Sequence, residues 1–152
     1  MRKETTLRVA RPSDHLEEVV RFYTEGLGLS RLGSFEDHDG FDGAMLGIPG
    51  APYHLEFTHK RGHTAGPAPT EDNLLVLYLP GREAWQRAVD RMMAAGYDCV
   101  PSFNPYWDRD GRTLRGSGRV PRCASERLLV CVVGADRDTV SPARLPNALE
   151  PA

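Results

Sequence analysis

Apolar and polar positions change their period along this chain in an order that occurs twice. Thr6–Ala10 alternates in part, as a half-buried strand does, and Pro12 closes it. Asp14 with Glu17 three residues on has the form of a capping box. Leu16, Val19, Val20, Tyr23 and Leu27 follow at helical spacing as one apolar stripe. Gly26 and Gly28 suit the end of that helix, where a left-handed residue is common. Arg31–Glu36, Ala44–Ile48 and Tyr53–Thr58 read as three strands, with turns at Asp39-Gly40 and Pro49-Gly50. Residues 59–72 read as a loop.

The order then restarts. Asn73–Leu79 predicts a strand and Pro80-Gly81 a turn. Trp85, Ala88, Val89 and Met92 mark a second amphipathic helix, closed by Gly96. Tyr97–Val100 predicts another strand, and Asp108-Arg109-Asp110-Gly111 a hairpin turn before Arg112-Thr113-Leu114. A supersecondary unit repeated in this way points to one pseudo-twofold α+β domain, not two domains. The modules run from about 5 to 58 and from about 73 to 133, giving a single domain over 1–133. After residue 115 the texture changes: only Leu128–Val133 has the apolar run of a buried strand, and 134–152 read as a flexible tail.

At 152 residues, 40% of them hydrophobic and 26% charged, the chain is long enough for one real core. The net charge of -2 argues against a nucleic-acid or basic membrane-surface partner. Met1–Thr6 carries no apolar signal segment, and no run reaches spanning length. Cys99, Cys123 and Cys131 have neither zinc-knuckle nor disulfide-framework spacing, so a cytoplasmic location is expected. No nucleophile elbow, phosphate loop, dinucleotide fingerprint or zinc-protease motif is present.

The string Leu7-Arg8-Val9-Ala10-Arg11-Pro12, then His15 through Tyr23 into Gly26-Leu27-Gly28-Leu29, then Tyr53-His54-Leu55-Glu56-Phe57 and Asn73-Leu74-Leu75-Val76-Leu77-Tyr78, resembles the vicinal-oxygen-chelate superfamily. That superfamily holds glyoxalase I, bleomycin-resistance proteins and extradiol dioxygenases. The resemblance covers roughly residues 5–114 and implies paired βαβββ modules whose sheets curve around a cleft. Its enzymes hold a divalent metal with His, Gln or Glu from the first and last strand of each module. By that resemblance the first ligand position falls near Arg8, which has no lone pair to offer. Glu56 matches the glutamate ending the first module, and Asn73 falls at the second module's opening ligand. One good donor does not make a catalytic zinc, nickel or iron site, so no metal and no cofactor is expected. Glu56 reads instead as a carboxylate in a wet cleft or as a partner of Arg8.

His54 and Glu56 are two apart and share a strand face, so a cleft-facing Glu56 brings His54 with it. Such a pair can do general acid–base work. Asp37 and His38 either line the cleft mouth or sit in a solvated hairpin loop. His59 and His63 read as a surface loop. Asn104-Pro105-Tyr106-Trp107 places two aromatics after a proline turn. They either stack on a planar ligand, with Asn104 fixing its polarity, or complete the core. The resulting expectation is a small-molecule-binding protein of the glyoxalase/bleomycin-resistance kind, with or without metal-free chemistry. The alternative is a glyoxalase-like lyase, isomerase or dioxygenase using a divalent metal. Arg8, Asp37, His38, Asn73, Asn104, Tyr106 and Trp107 are the expected ligand contacts, and the resemblance implies a homodimer.

The tail carries one more expectation. The superfamily follows the strand ending near Leu114 with an Asp-Pro-Asp-Gly turn and a final strand. Here the chain reads Arg115-Gly116-Ser117-Gly118-Arg119-Val120-Pro121-Arg122-Cys123. One legal coding is CGA GGA TCC GGA CGG GTA CCG CGT TGC. Dropping its first base gives Glu-Asp-Pro-Asp-Gly-Tyr-Arg-Val, the absent turn and the start of the absent strand. Residues from about 115 onward are therefore expected to be read out of frame. The plainer reading is a divergent tail in which Leu128–Val133 supplies the last strand.

Overall fold

The computed structural model describes residues 5–66, 70, 73–116 and 129–135. Strand β1 (Leu7–Pro12) leads to helix α1 (Leu16–Arg21), which passes into a π-helical turn over Phe22–Gly26. Then come β2 (Ser30–His38), β3 (Phe41–Gly47) and β4 (Tyr53–Lys60). The second copy has β5 (Leu75–Pro80), α2 (Arg82–Ala94), β6 (Asp98–Val100), a short α3 (Trp107–Asp110), β7 (Gly111–Arg115) and β8 (Leu129–Ala135). The expected βαβββ unit is present twice.

The two sheets have matching topologies, β1-β4-β3-β2 and β5-β8-β7-β6. In each, the first strand pairs in parallel with the last, Leu7 with Tyr53 and Leu75 with Val130. Leu7 and Leu75 thus open equivalent strands, and Pro12 and Pro80 close them. The prolines are tolerated because β1 and β5 lie at sheet edges, where a missing N–H breaks no ladder. Asp39 and Gly40, at φ 51° and 81°, form the two-residue β2–β3 turn that the Asp-Gly pair predicts.

The helices cover one face of the sheets. Val19, Phe22 and Tyr23 are buried with Leu46, Leu55 and Phe57, and Trp85, Ala88, Val89 and Met92 with Leu114 and Val132. Tyr23 stacks on Phe57 at 5.0 Å between ring centroids, and burial pushes its hydroxyl pKa up. The halves meet where Phe22 packs edge-on against Tyr97 at 4.8 Å. There Arg91 of α2 donates to the carbonyls of Gly26 (2.7 Å) and Leu27. These are the carbonyls that a helix end leaves without partners.

Three local expectations are corrected. Asp14 and Glu17 form no capping box: α1 is entered at His15 without a side-chain cap. The Asp14 carboxylate accepts instead from the backbone N–H groups of Ala65 and Gly66 at 2.8 and 3.0 Å. Asp108–Gly111 is not a hairpin turn. Asp108 accepts from the Ser102 backbone N–H (3.1 Å) and hydroxyl (2.8 Å), which folds 107–110 into a helical turn before β7. The last strand begins at Leu129 and runs to Ala135, so Gly134 and Ala135 belong to it and not to the tail. The rest of the expected tail, 136–152, lies outside the described residues, as does 117–128 of the segment expected to be out of frame.

Candidate functional site

Alternation along β1 and β4 sorts their side chains. Val9, Leu55 and Phe57 pack toward the helices. Arg8, His54 and Glu56 share the opposite, helix-free face, because Arg8 pairs with His54 and Ala10 with Glu56 in the parallel register. His54 and Glu56 share a face as their spacing predicts, and of the two readings open for Glu56 the geometry shows the pairing with Arg8. Arg8 Nη1 lies 2.7 Å from Glu56 Oε2, and Arg8 Nε donates to His54 Nε2 at 2.9 Å. The Glu56 side chain is 12% exposed and that of Arg8 52% exposed, so the carboxylate is tucked beneath a guanidinium that opens to solvent.

An apolar floor lies beside this cluster. Met45 stands across from Glu56 on β3, and its terminal methyl covers Gly33. The Phe35 ring lies over Gly43. Leu32 and the His54 β-carbon both border Gly47. Leu32, Phe35 and Met45 were absent from the sequence reading. The signal available was glycine at every second position around Met45 (Gly43 and Gly47), which strips one strand face for close approach. The face continues to a hollow of about 230 Å³ edged by Pro12, Phe41, Thr58 and Lys60.

The other expected residues lie elsewhere, except that the His38 ring meets Phe35 of the floor edge-on at 6.1 Å. Asp37 and His38 are at the exposed end of the β2–β3 hairpin. There Arg61 bridges Asp37 (3.0 Å) and Asp42 (2.8 Å), and its hydrogen bonds hold the Asp42 carboxyl below the ordinary carboxylate range. This hairpin borders a larger groove of about 760 Å³ along α1, on the helix side and away from Arg8. Asn73 accepts from Arg11 Nη2 at 2.6 Å, and Arg11 is on the opposite face of β1 from Arg8. The strand register makes Val76, not Asn73, the counterpart of Arg8. By the same register Cys131 and Val133 stand where the first module has His54 and Glu56. Asn104 Oδ1 accepts from the Tyr106 backbone N–H at 3.0 Å, and Tyr106 meets Trp107 edge-on at 5.1 Å in the turn before β7.

Tested against the divalent metal of superfamily enzymes, this set does not fit. Arg8 stands where a donor is needed and occupies the Glu56 carboxylate, while Val76 and Val133 offer nothing to a cation. Among the described residues no three His, Cys, Asp or Glu side chains converge as a metal-holding group. No helix among them is long and apolar enough to cross a membrane.

Comparison with known proteins fixes the family. The YycE-like N-terminal domain matches residues 7–58 and the YycE-like C-terminal domain residues 72–117. The chain belongs to the YycE-like family. It is 45% identical to YycE of Bacillus subtilis (strain 168), itself uncharacterised, over 108 residues, which is 71% of this chain and 78% of that protein. The crystal structure of Bacillus subtilis YycE superposes with a TM-score of 0.72 at 38% identity, covering 86% of this chain and 90% of that one. It is described as a protein of unknown function and as a candidate glyoxalase/fosfomycin resistance protein. Leishmania major glyoxalase I shares the fold at TM-score 0.60 and 15% identity, over 88% of this chain and 87% of that one. The antibiotic-binding protein TnmS3 of Streptomyces sp. CB03234 shares it at 0.53 and 15%, over 88% and 98%. The YycE-like chain therefore has the glyoxalase-like fold of the vicinal-oxygen-chelate superfamily.

Proposed function

We propose that this YycE-like chain binds a small molecule on the helix-free face of its first module, and that any chemistry there runs without a divalent metal. The observation that carries this reading is the Arg8–His54–Glu56 cluster beside Leu32, Phe35 and Met45. A few convergent polar groups on an apolar wall are what a ligand site needs. Sequestration of the ligand without turnover is the simplest use of such a site, and the antibiotic-binding neighbour lends it support. A cytoplasmic homodimer is its setting; Tyr106 and Trp107 stand in the turn before β7, apart from this cluster.

The test is a thermal-shift screen, followed by methyl NMR of the hits. A binder raises the melting temperature by mass action and moves the Met45 methyl resonance. His54→Ala weakens it about tenfold, the scale of one lost hydrogen bond to a buried partner. Hits that leave Met45 unmoved remove the site from this face. Metal analysis of purified protein finds no stoichiometric zinc, nickel or iron. Metal near one per chain, lost in Glu56→Gln, would favour the metal-dependent lyase or dioxygenase. Sedimentation equilibrium checks the dimer.

A further inference from the structure

We infer that Arg8 is the ligand receptor of this face, taking an oxyanion through the open edge of its guanidinium; the inference rests on the binding reading above. Guanidinium has five N–H bonds in a planar fork. The Nε–H is spent on His54, and Glu56 lies 2.7 Å from Nη1 as an ion pair. Among the described residues no partner is recorded for Nη2. The side chain is 52% exposed, so N–H groups of the fork stay open to solvent, and two of them side by side match two oxygens of one carboxylate, phosphate or phosphonate.

Two further features make this a receptor and not a surface charge. His54 and Glu56 fix the guanidinium from two sides, so little side-chain freedom remains to be lost when a ligand arrives. Lys60 lies on the same face of β4, four residues beyond Glu56, and shares the hollow there with Asp14. A ligand held at Arg8 has Leu32, Phe35 and Met45 to its side. The class is a small organic oxyanion with an apolar body. The cation that engages it is covalently part of the chain, where superfamily enzymes present a metal.

The probes are benzoate and phenylphosphonate, with benzamide as the neutral control, titrated into the full chain by calorimetry and by NMR of the Arg8 Nε–H resonance. One or both anions bind and move that resonance; which one binds separates carboxylate from phosphonate. Benzamide binds at least tenfold more weakly. Arg8→Lys keeps the charge but not the fork and loses about ten- to a hundredfold in affinity, the scale of charge-assisted hydrogen bonds. Arg8→Gln loses at least as much, and a thermal melt confirms that each variant is folded. Equal binding of benzamide, unchanged affinity in folded Arg8→Lys, or no binding of either anion to the wild-type chain overturns the inference. Screening hits that move the Met45 methyl regardless of Arg8 would leave the binding face standing while removing its anion receptor.

Discussion

Asp14 shows how far a local pattern reaches. Its spacing from Glu17 has the form of a helix cap, yet the carboxylate turns to a loop 51 residues away and accepts the Ala65 and Gly66 N–H groups. Those two bonds, the larger first, hold its pKa below the ordinary 3.8. A depressed carboxylate pKa contributes stability that is present above the unfolded value and lost as pH falls through the folded one. The amide shifts of Ala65 and Gly66 are therefore expected to titrate together with a midpoint below 3.8. Asp14→Asn removes that titration and raises the exchange rates of both amides. Unmoved amides in the variant would show that the loop is held by other means. Contacts within one strand or one strand pair were the legible kind: His54 and Glu56 follow from period-two alternation, and the pairing of Glu56 with Arg8 was one of two readings open. Contacts that depend on loop closure, such as Asp14 to Ala65 or Asn73 to Arg11, leave no periodic trace.

The elements themselves were largely legible, because each strand and helix has the period its burial demands and Gly or Pro marks the breaks. The exceptions are places where side-chain bonds decide the backbone. The hairpin expected at Asp108 became α3 through Ser102, and the π-helical turn at Phe22–Gly26 has no residue pattern of its own. The contact that binds the second helix to the last strand is Trp85 Nε1–H to the Val132 carbonyl, 2.9 Å and buried. Trp85→Phe keeps the ring but leaves that carbonyl without its side-chain donor. A loss of about 1–3 kcal/mol in urea unfolding is expected, the cost of a buried unsatisfied group. No loss would mean that β8 does not hold this position in solution.

The connection into that strand is where the two halves of the molecule stop matching. In the first module residues 48–52 join β3 to β4; in the second, residues 116–128 join β7 to β8. The YycE-like C-terminal match also stops at residue 117. Both facts support the proposal that the gene was read out of frame from about residue 115. The shifted codons place the Asp-Pro-Asp-Gly turn directly after β7, and a tyrosine at position 120 begins the next strand as Tyr53 begins β4. Aligned on those tyrosines, the counterpart of Glu56 falls at position 123. Its shifted codon takes two bases from Cys123 and one from Ala124, so it can only be GCG or GTG, alanine or valine. In that alignment the restored frame still supplies no ligand opposite Glu56, so the metal-free proposal makes the same prediction in either frame. The frame-restored chain is expected to have the higher melting temperature, since a short hairpin replaces a long connection, and to bind no more metal than the chain as written. Sequencing the gene decides the matter first: codons at 115–122 that cannot encode the turn after a one-base shift leave Leu129–Ala135 as the family's own last strand.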